Sequence, residues 1–263
     1  LKARSFLPFL LVLFLVFQSC VPNKKLVYLQ GDKAESRLPN FQTTEYQAQV
    51  STYKVQYGDV LNIKVLSQDP ASVQPFNVEG PNGNMMGIIN PAQLFLTGYT
   101  VDEKGNIIFP LLGEVFVRDK TIVEISKILA DKIEKFATNA LVKIKLVSFK
   151  VTILGEVKNP GIHHIYNDRV SILEVLGYSG DMTDLGNRHK IKLIRTIGSK
   201  VQISNLDLTD RSIVESGNYF LLPNDVLYVE PSKAKSFRLN LPTVNLILST
   251  VTTLLVLYNI LGK

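Results

Sequence analysis

One thiol, three imidazoles and a few carboxylates in turn contexts are the groups from which this chain could build chemistry. The thiol is Cys20, the sole cysteine among 263 residues, so an intramolecular disulfide framework and a multi-cysteine zinc site are excluded. Lys2 and Arg4 precede an apolar run over residues 6–17, broken only by Pro8, and Gln18-Ser19 leads directly to Cys20. A basic start, a short apolar stretch and a small residue before the cysteine have the form of a secretory leader. Twelve helical residues reach only ~18 Å, short of the ~30 Å hydrocarbon core. The expected chemistry is therefore cleavage of a leader over residues 1–19 and acylation of the thiol and new amino terminus of Cys20, as in a bacterial lipoprotein. A cysteine that happens to follow a plain cleavage site is the alternative.

The other groups point away from catalysis. His163, His164 and His189 lie in no cysteine or carboxylate array at metal spacing, so surface or hairpin roles are expected and neither metal nor cofactor is implied. Asp59, Asp102 and Asp225 stand in turn contexts, where capping a turn is the simpler use of the side chain. Phosphate loops, Gly-x-Ser-x-Gly and paired acids are missing, so the reading is not an enzyme. With 46% apolar and 20% charged residues the chain is of globular composition. Its net charge of +6 falls to +4, 27 basic against 23 acidic, without the leader, which is too weak an excess to imply nucleic acid.

The elements that must position these groups follow from periodicity. Residues 24–51 are polar and irregular and read as a linker. Tyr53 and Val55, then Val60, Ile63 and Val65, predict two short strands around the turn Tyr57-Gly58-Asp59. Residues 70–91, with Gly80-Pro81-Asn82-Gly83, read as a long loop. Strand signals resume at Tyr99-Thr100-Val101 and return through Ile107, Ile108 and Phe109. Thr121-Ile122-Val123-Glu124 is a capping box opening a helix with Ile125, Leu129 and Ile133 on one face, and residues 140–147 alternate as a half-buried strand. A second unit follows at once. Strand 151–157 carries Gly155, and Lys158-Asn159-Pro160-Gly161 suits a type II turn. A return strand ends at Tyr166, and Ser171-Ile172-Leu173-Glu174 is another capping box. Strand signals at 191–195, 201–205, 219–222 and 226–229 complete what reads as a β-grasp domain. The echo of Gly58-Asp59-Val60-Leu61 in Asn224-Asp225-Val226-Leu227 reads as recurrent turn chemistry, not a duplicated site.

Residues 241–261 form a second apolar stretch without a charge, and a helix of that length covers ~31 Å, enough to cross a bilayer. At 100° per residue, Asn245, Ser249, Thr252, Thr253 and Asn259 share one face, within about 120° of arc, while leucines and valines fill the rest. Such a face is expected to meet other helices or a wet lumen. The competing reading is a tail anchor whose Ser and Thr bond back to their own helix. Pro242 is expected in the first turn, where no donor is missed, with Arg238 and Lys263 at the two interfaces.

In this order the motifs resemble the outer-membrane polysaccharide export family of the Wza type. Tyr53 to Val65 with its Gly58-Asp59-Val60-Leu61 turn, Tyr99-Thr100-Val101-Asp102, Gly105, Pro110, Gly113 and Thr121 are similar to its polysaccharide-export domain. Gly155-Glu156-Val157, Pro160-Gly161, Leu173-Glu174-Val175-Leu176, Ser179-Gly180 and Arg195 are similar to its soluble-ligand-binding β-grasp domain. Asp119, Asp181 and Asn224 stand where the family commonly has glycine, Tyr57 where proline is frequent, and only one β-grasp copy fits before Pro231.

The resemblance implies an α+β chain with a leader over 1–19, a lipidated linker over 20–51, a polysaccharide-export domain over 52–149, a β-grasp domain over 150–232 and a membrane-spanning helix over 237–263. Gly58, Asp59, Gly155, Pro160 and Gly161 would be structural turns. It further implies a homo-oligomeric ring in the outer membrane, its body in the periplasm, conducting a capsular or extracellular polysaccharide through a helical barrel lined by Asn245, Ser249, Thr252, Thr253 and Asn259, above an inner-membrane polysaccharide copolymerase. A lipidated, tail-anchored module that binds a glycan or envelope protein without a pore is the rival.

Overall fold

The computed structural model describes residues 26–30, 43, 45–77, 95–198 and 200–261, with the side chains of Tyr258 and Asn259 excepted. Cys20, the Gly80-Pro81-Asn82-Gly83 segment and Lys263 lie outside the described residues.

Two hydrophobic cores organise the chain. Strand β1 (Val60–Leu66) buries Leu61, Ile63 and Val65 and pairs antiparallel with β5 (Leu141–Leu146) from Leu61 opposite Leu146 to Leu66 opposite Leu141. Its other edge pairs with β2 (Tyr99–Thr100). Helix α2 (Ile122–Ile133) buries Ile125, Leu129 and Ile133 in this core. It starts where the capping box requires. Thr121 Oγ1 accepts the Glu124 amide at 3.2 Å and Glu124 Oε2 accepts the Thr121 amide at 2.7 Å, satisfying two donors the helix cannot reach. Ser126 Oγ donates to the Val142 carbonyl at 2.7 Å and fixes α2 on the sheet.

Three expectations for this unit are corrected. Tyr53 and Val55 form no strand. Val55 exchanges hydrogen bonds with Lys120 and Asp119 at 2.9 Å each, and Asp119, at φ +61°, turns the partner chain away before a ladder can extend. Residues 70–76 are not loop but a short helix α1 (Pro70–Val73), capped by Asp69, and a 3-10 turn (Gln74–Phe76). Asn77 locks them onto β1 through the amide and carbonyl of Val65, at 2.9 and 2.8 Å, which seats Phe76 in the core beside Phe109 and Phe136. Strand β3 (Asn106–Phe109) returns not to β2 but to β4 (Gly113–Phe116), a strand that sequence patterning missed because it is four residues long and begins at a glycine.

The second core belongs to a five-stranded sheet. Hairpins β6–β7 (Lys150–Gly155, Gly161–His164) and β9–β10 (Gly186–Ile197, Lys200–Leu206) form its flanks. The last strand, β12 (Val226–Pro231), inserts between them, parallel to β6 and antiparallel to β9. A small pair, β8 (Val170–Ser171) with β11 (Phe220–Leu221), stands apart. Helix α3 (Ile172–Tyr178) packs Ile172, Val175 and Leu176 on the sheet. This is the β-grasp order, and the fold as a whole is α+β. Gly155 has φ +90°, and a Cβ there would lie 2.1 Å from the Val229 carbonyl oxygen, so β6 and β12 meet this closely only at glycine.

The turn after Gly155 departs from type II. Gly161 has φ +152°, far from the ~+80° that a type II turn needs, because the Lys158 and Asn159 amides are drawn to the carbonyls of Asp181 and Ser179, at 3.1 and 2.9 Å. Asp119, Asp181 and Asn224 all take positive φ (+61°, +71° and +67°). Each holds the left-handed backbone for which glycine is the usual residue, which short polar side chains tolerate best.

Residues 26–30, expected within the irregular linker, are laid on the second core. The Leu29 and Gln30 amides donate to Leu208 and Thr209 at 3.0 and 2.6 Å, and the Tyr28 hydroxyl donates to Asp181 Oδ1 at 2.6 Å. Burial, then the Asp181 carboxylate, pushes that hydroxyl's pKa up.

Helix α4 (Lys233–Leu261) ends the described chain. It begins well before Pro242, so the proline is interior rather than in the first turn. The missing amide leaves the Arg238 carbonyl without its usual donor, a defect that membrane-crossing helices accommodate better than exposed soluble ones. Over Lys233–Leu257 the helix is long and apolar enough to cross a membrane, and none of its apolar window is buried among the described residues.

Candidate functional site

Two aspartate turns face the junction between the two cores. In turn 56–59 the Asp59 amide donates to the Gln56 carbonyl at 3.2 Å, Asp59 Oδ2 accepts the Gln56 amide at 2.9 Å, and Gly58 supplies φ +82°. In turn 222–225 the Asp225 amide donates to the Leu222 carbonyl at 3.2 Å, Asp225 Oδ2 accepts the Leu222 amide at 2.7 Å, and Asn224 supplies φ +67°. Both carboxylates are almost wholly buried.

Their further partners differ. Asp59 is met by neutral donors, the Tyr53 hydroxyl at 2.7 Å and the Ser148 hydroxyl at 3.2 Å. Burial pushes the Asp59 carboxyl above the ordinary aspartate range, against the lowering effect of Gln56, Tyr53 and Ser148. Asp225 instead holds Arg195 bidentately, Nε to Oδ1 at 3.0 Å and Nη2 to Oδ2 at 2.7 Å. The Tyr53 hydroxyl is pushed up by burial and then by Asp59, with a further contribution from Asp225, so one electrostatic neighbourhood contains both turns. All four carboxylate oxygens carry hydrogen bonds, an arrangement suited to fixing loops rather than to moving protons. The Arg195–Asp225 pair escaped sequence reasoning, although Arg195 shares strand parity with Ile191 and Leu193 and therefore had to point inward.

Above the turns the junction opens into cavities of ≈460 and ≈920 Å³, and a third of ≈410 Å³ is lined by the β-grasp unit alone. An exposed ion pair, Lys145 Nζ to Asp168 Oδ1 at 2.7 Å, crosses the junction between β5 and the loop after β7.

Asn245, Ser249, Thr252 and Thr253 are exposed on α4; the Asn259 side chain is outside the described residues. The hydroxyls are already satisfied. Ser249 donates to the Leu246 carbonyl, Thr252 to Leu248 and Ser249, and Thr253 to Ser249, at 2.8 to 2.9 Å. Thr250, which lies off the stripe, also bonds back to Leu246. The Asn245 carboxamide finds no partner among the described residues. The root of α4 is tied to the β-grasp body. Lys235 pairs with Glu156, whose other oxygen accepts the Thr183 hydroxyl at 2.7 Å, and the Ser232 amide donates to the Leu185 carbonyl at 2.7 Å. Lys235, followed by Thr183, holds the Glu156 carboxyl below the ordinary glutamate range.

His163 and His164 lie on the edge strand β7. His189 Nδ1 lies 3.0 Å from Asp207 Oδ2 and 2.9 Å from Thr209 Oγ1. Among the described residues no group of three or more His, Cys, Asp or Glu is placed to hold a metal ion.

Comparison with known sequences matches residues 47–147 to the polysaccharide biosynthesis/export protein family and residues 149–229 to the SLBB domain. The chain is similar to the EPS I polysaccharide export outer membrane protein EpsA of Ralstonia solanacearum, 24% identical over 208 residues, which is 77% of this chain and 54% of the relative. The protein of the same name from Ralstonia nicotianae is 25% identical over 187 residues, 70% of this chain and 48% of the relative. The chain thus spans about half the length of the curated relatives it matches.

Proposed function

Because the chain belongs to the Wza-type polysaccharide export family, with a polysaccharide-export domain followed by one SLBB domain, we propose that it is a translocon subunit that passes a capsular or extracellular polysaccharide across the outer membrane. In this reading residues 1–19 are a cleaved leader, Cys20 carries lipid at the head of a linker over 20–51, and domains over 52–149 and 150–232 form the periplasmic body. The segment 237–263 crosses the membrane. Copies close into a ring above an inner-membrane polysaccharide copolymerase, and the chain conducts rather than catalyses. No cofactor takes part.

The observation that carries the reading is helix α4, with no residue of its apolar window buried among the described residues and an Asn245 on its polar face that has no partner among them. An apolar helix without cover from its own chain needs lipid on one side. A carboxamide held one turn inside the apolar stretch needs water or another polar group on the other. A barrel of like helices supplies both, with Asn245, Ser249, Thr252, Thr253 and Asn259 toward a wet lumen and the leucines toward lipid. Hydroxyls and amides without fixed charge suit the passage of a hydrated polymer without tight binding.

The back-bonded hydroxyls favour a second reading. Ser249, Thr252 and Thr253 make no demand on a lumen, as in a tail-anchored monomer that binds glycan or an envelope protein without a pore. Particle mass separates the two. The full chain in mild detergent is expected to run as a discrete multi-copy ring, lost or weakened when the chain ends at Ser236; a monomer in both forms, with no ring on crosslinking in intact cells, refutes the translocon. Ser249→Asp and Thr252→Asp are expected to alter export while leaving insertion intact, and Leu254→Asp to disturb insertion; normal export in all three refutes the lumen assignment.

A further inference from the structure

Tyr166 lines all three cavities, the two at the junction and the one within the β-grasp unit. Its ring is 66% exposed, and two more tyrosines share the groove in the same state, Tyr57 at 61% in the ≈920 Å³ cavity and Tyr178 at 51% in the ≈410 Å³ one. None of the three hydroxyls has a protein partner among the described residues, and neither do the side chains of His164 and Asn167 beside them. Aromatic rings left in water with idle hydroxyls gain nothing for the fold.

They are nevertheless held on fixed roots. Tyr57 belongs to the Asp59 turn, whose carboxylate bonds to three groups. Tyr178 is the last residue of α3, followed by the buried Ser179, which bonds back to Leu176 at 2.8 Å. Tyr166 follows the buried Ile165, whose amide donates to Phe149 at 2.9 Å, and the Lys145–Asp168 pair closes its loop. Backbone roots fixed in advance in this way lower the ordering cost of binding.

The groove also specifies what it fits. Among the described residues lining the ≈920 and ≈410 Å³ cavities the only full cation is Lys150, and the only acid, Asp59, is buried with its oxygens occupied; the ≈460 Å³ cavity adds Arg169 and Lys145, the latter paired with Asp168. A nucleic acid needs several cations. Aromatic rings beside neutral donors and acceptors match a ligand with apolar C–H faces, many hydroxyls and little charge. That is the chemistry of a pyranose polymer.

We propose that this groove is a glycan-contacting site, in which Tyr57, Tyr166 and Tyr178 stack on sugar rings while their hydroxyls, His164 and Asn167 bond to sugar hydroxyls. That the glycan is the exported polysaccharide rests on the function proposed above.

The test places the photocrosslinker p-benzoylphenylalanine at Tyr166 of the full chain in exporting cells, with the same group at Ile108, which is 75% exposed on the β3–β4 hairpin, as the control. A carbohydrate-bearing adduct is expected at position 166 about threefold to tenfold above the control, the range that one aromatic stacking contact implies. Tyr166→Ala should lower export, and Tyr166→Phe, which loses only the hydroxyl contact, should lower it less, since the ring supplies most of the contact. A carbohydrate-free adduct of doubled mass, showing a second copy of the chain in the groove, overturns the proposal, and so does an adduct no stronger than the control. Deleting the chain separates the two claims. Lost export with no glycan adduct at 166 refutes the groove alone, whereas export that persists without the chain refutes the translocon and leaves a glycan adduct at 166 standing.

Discussion

Turns 56–59 and 222–225 share their backbone bonds and their carboxylate cap, yet one buried aspartate faces a guanidinium and the other only hydroxyls and an amide. A four-residue motif is enough to set its own turn geometry, because the cap is local. It cannot set its own charge balance, because the compensating group arrives from 30 residues away on β9 in one case and from Ser148 and Tyr53 in the other.

The largest break in this comparison is expected at Arg195. Arg195→Met leaves Asp225 buried without its cation and is expected to cost about 3–5 kcal/mol, read as a loss of urea midpoint at pH 7. Adding Asp225→Asn should recover much of it, since the amide oxygen still caps Leu222 and no unpaired charge remains. A double variant no better than Arg195→Met would mean that the pair's electrostatics are not the source.

Next comes the backbone. Gly58 has open space around its missing Cβ but φ +82°, so Gly58→Ala is expected to cost about 1–2 kcal/mol of conformational strain alone. Asn224→Gly, at φ +67°, should change stability by less than about 0.5 kcal/mol. Equal effects at the two sites would show that the turns are not equivalent. Thermal unfolding of both variants decides this.

Asp59→Asn is expected to stay within about 1 kcal/mol at pH 7, and its distinguishing effect is on pH dependence. Since burial raises the folded carboxyl above its ordinary value of 3.8, the folded state binds the proton more strongly than the unfolded one, and wild-type stability declines as pH rises through the window above 3.8. The variant should lack that decline in urea titrations, and a variant with the same slope would refute the assignment.

The smallest effect is expected from Glu156→Gln at the root of α4. The half-exposed Lys235 limits the pair to below about 1 kcal/mol, so the core should melt almost unchanged while proteolysis near residue 233 accelerates. The sign opposes that of Asp59. The Glu156 carboxyl is lowered from 4.5, so its contribution is present above the ordinary glutamate range and is lost as pH falls through the lowered value.

Legibility tracked the range of the physics involved. Both capping boxes sit where Thr121 and Ser171 put them, because residues three apart on a first turn always meet. The β-grasp hairpins and α2 were readable from alternation and helical spacing. Strand β4 was missed because four residues after a glycine carry too little pattern, and residues 70–76 because their order comes from Asn77 gripping Val65 across the sheet edge. Pro242 was misplaced because apolarity, the signal for α4, begins only after the helix has already run from Lys233.

The same division holds for the candidate sites. The polar stripe on α4 was readable because a helix repeats its angle with every residue, but that its hydroxyls bond to their own carbonyls while Asn245 does not was decided by rotamers in three dimensions. That Tyr57, Tyr166 and Tyr178 line one groove was invisible along a chain that separates Tyr57 from the other two by more than 100 residues. By itself, then, the sequence determined the elements, their caps, the α+β class and the long apolar helix, all of which depend on neighbours within a few residues. Only the tertiary structure decided which cation meets Asp225, that residues 26–30 lie on the second core, and that the two aspartate turns share one cleft. Those contacts depend on how separate elements pack, and packing is a property of the whole fold rather than of any local run of residues.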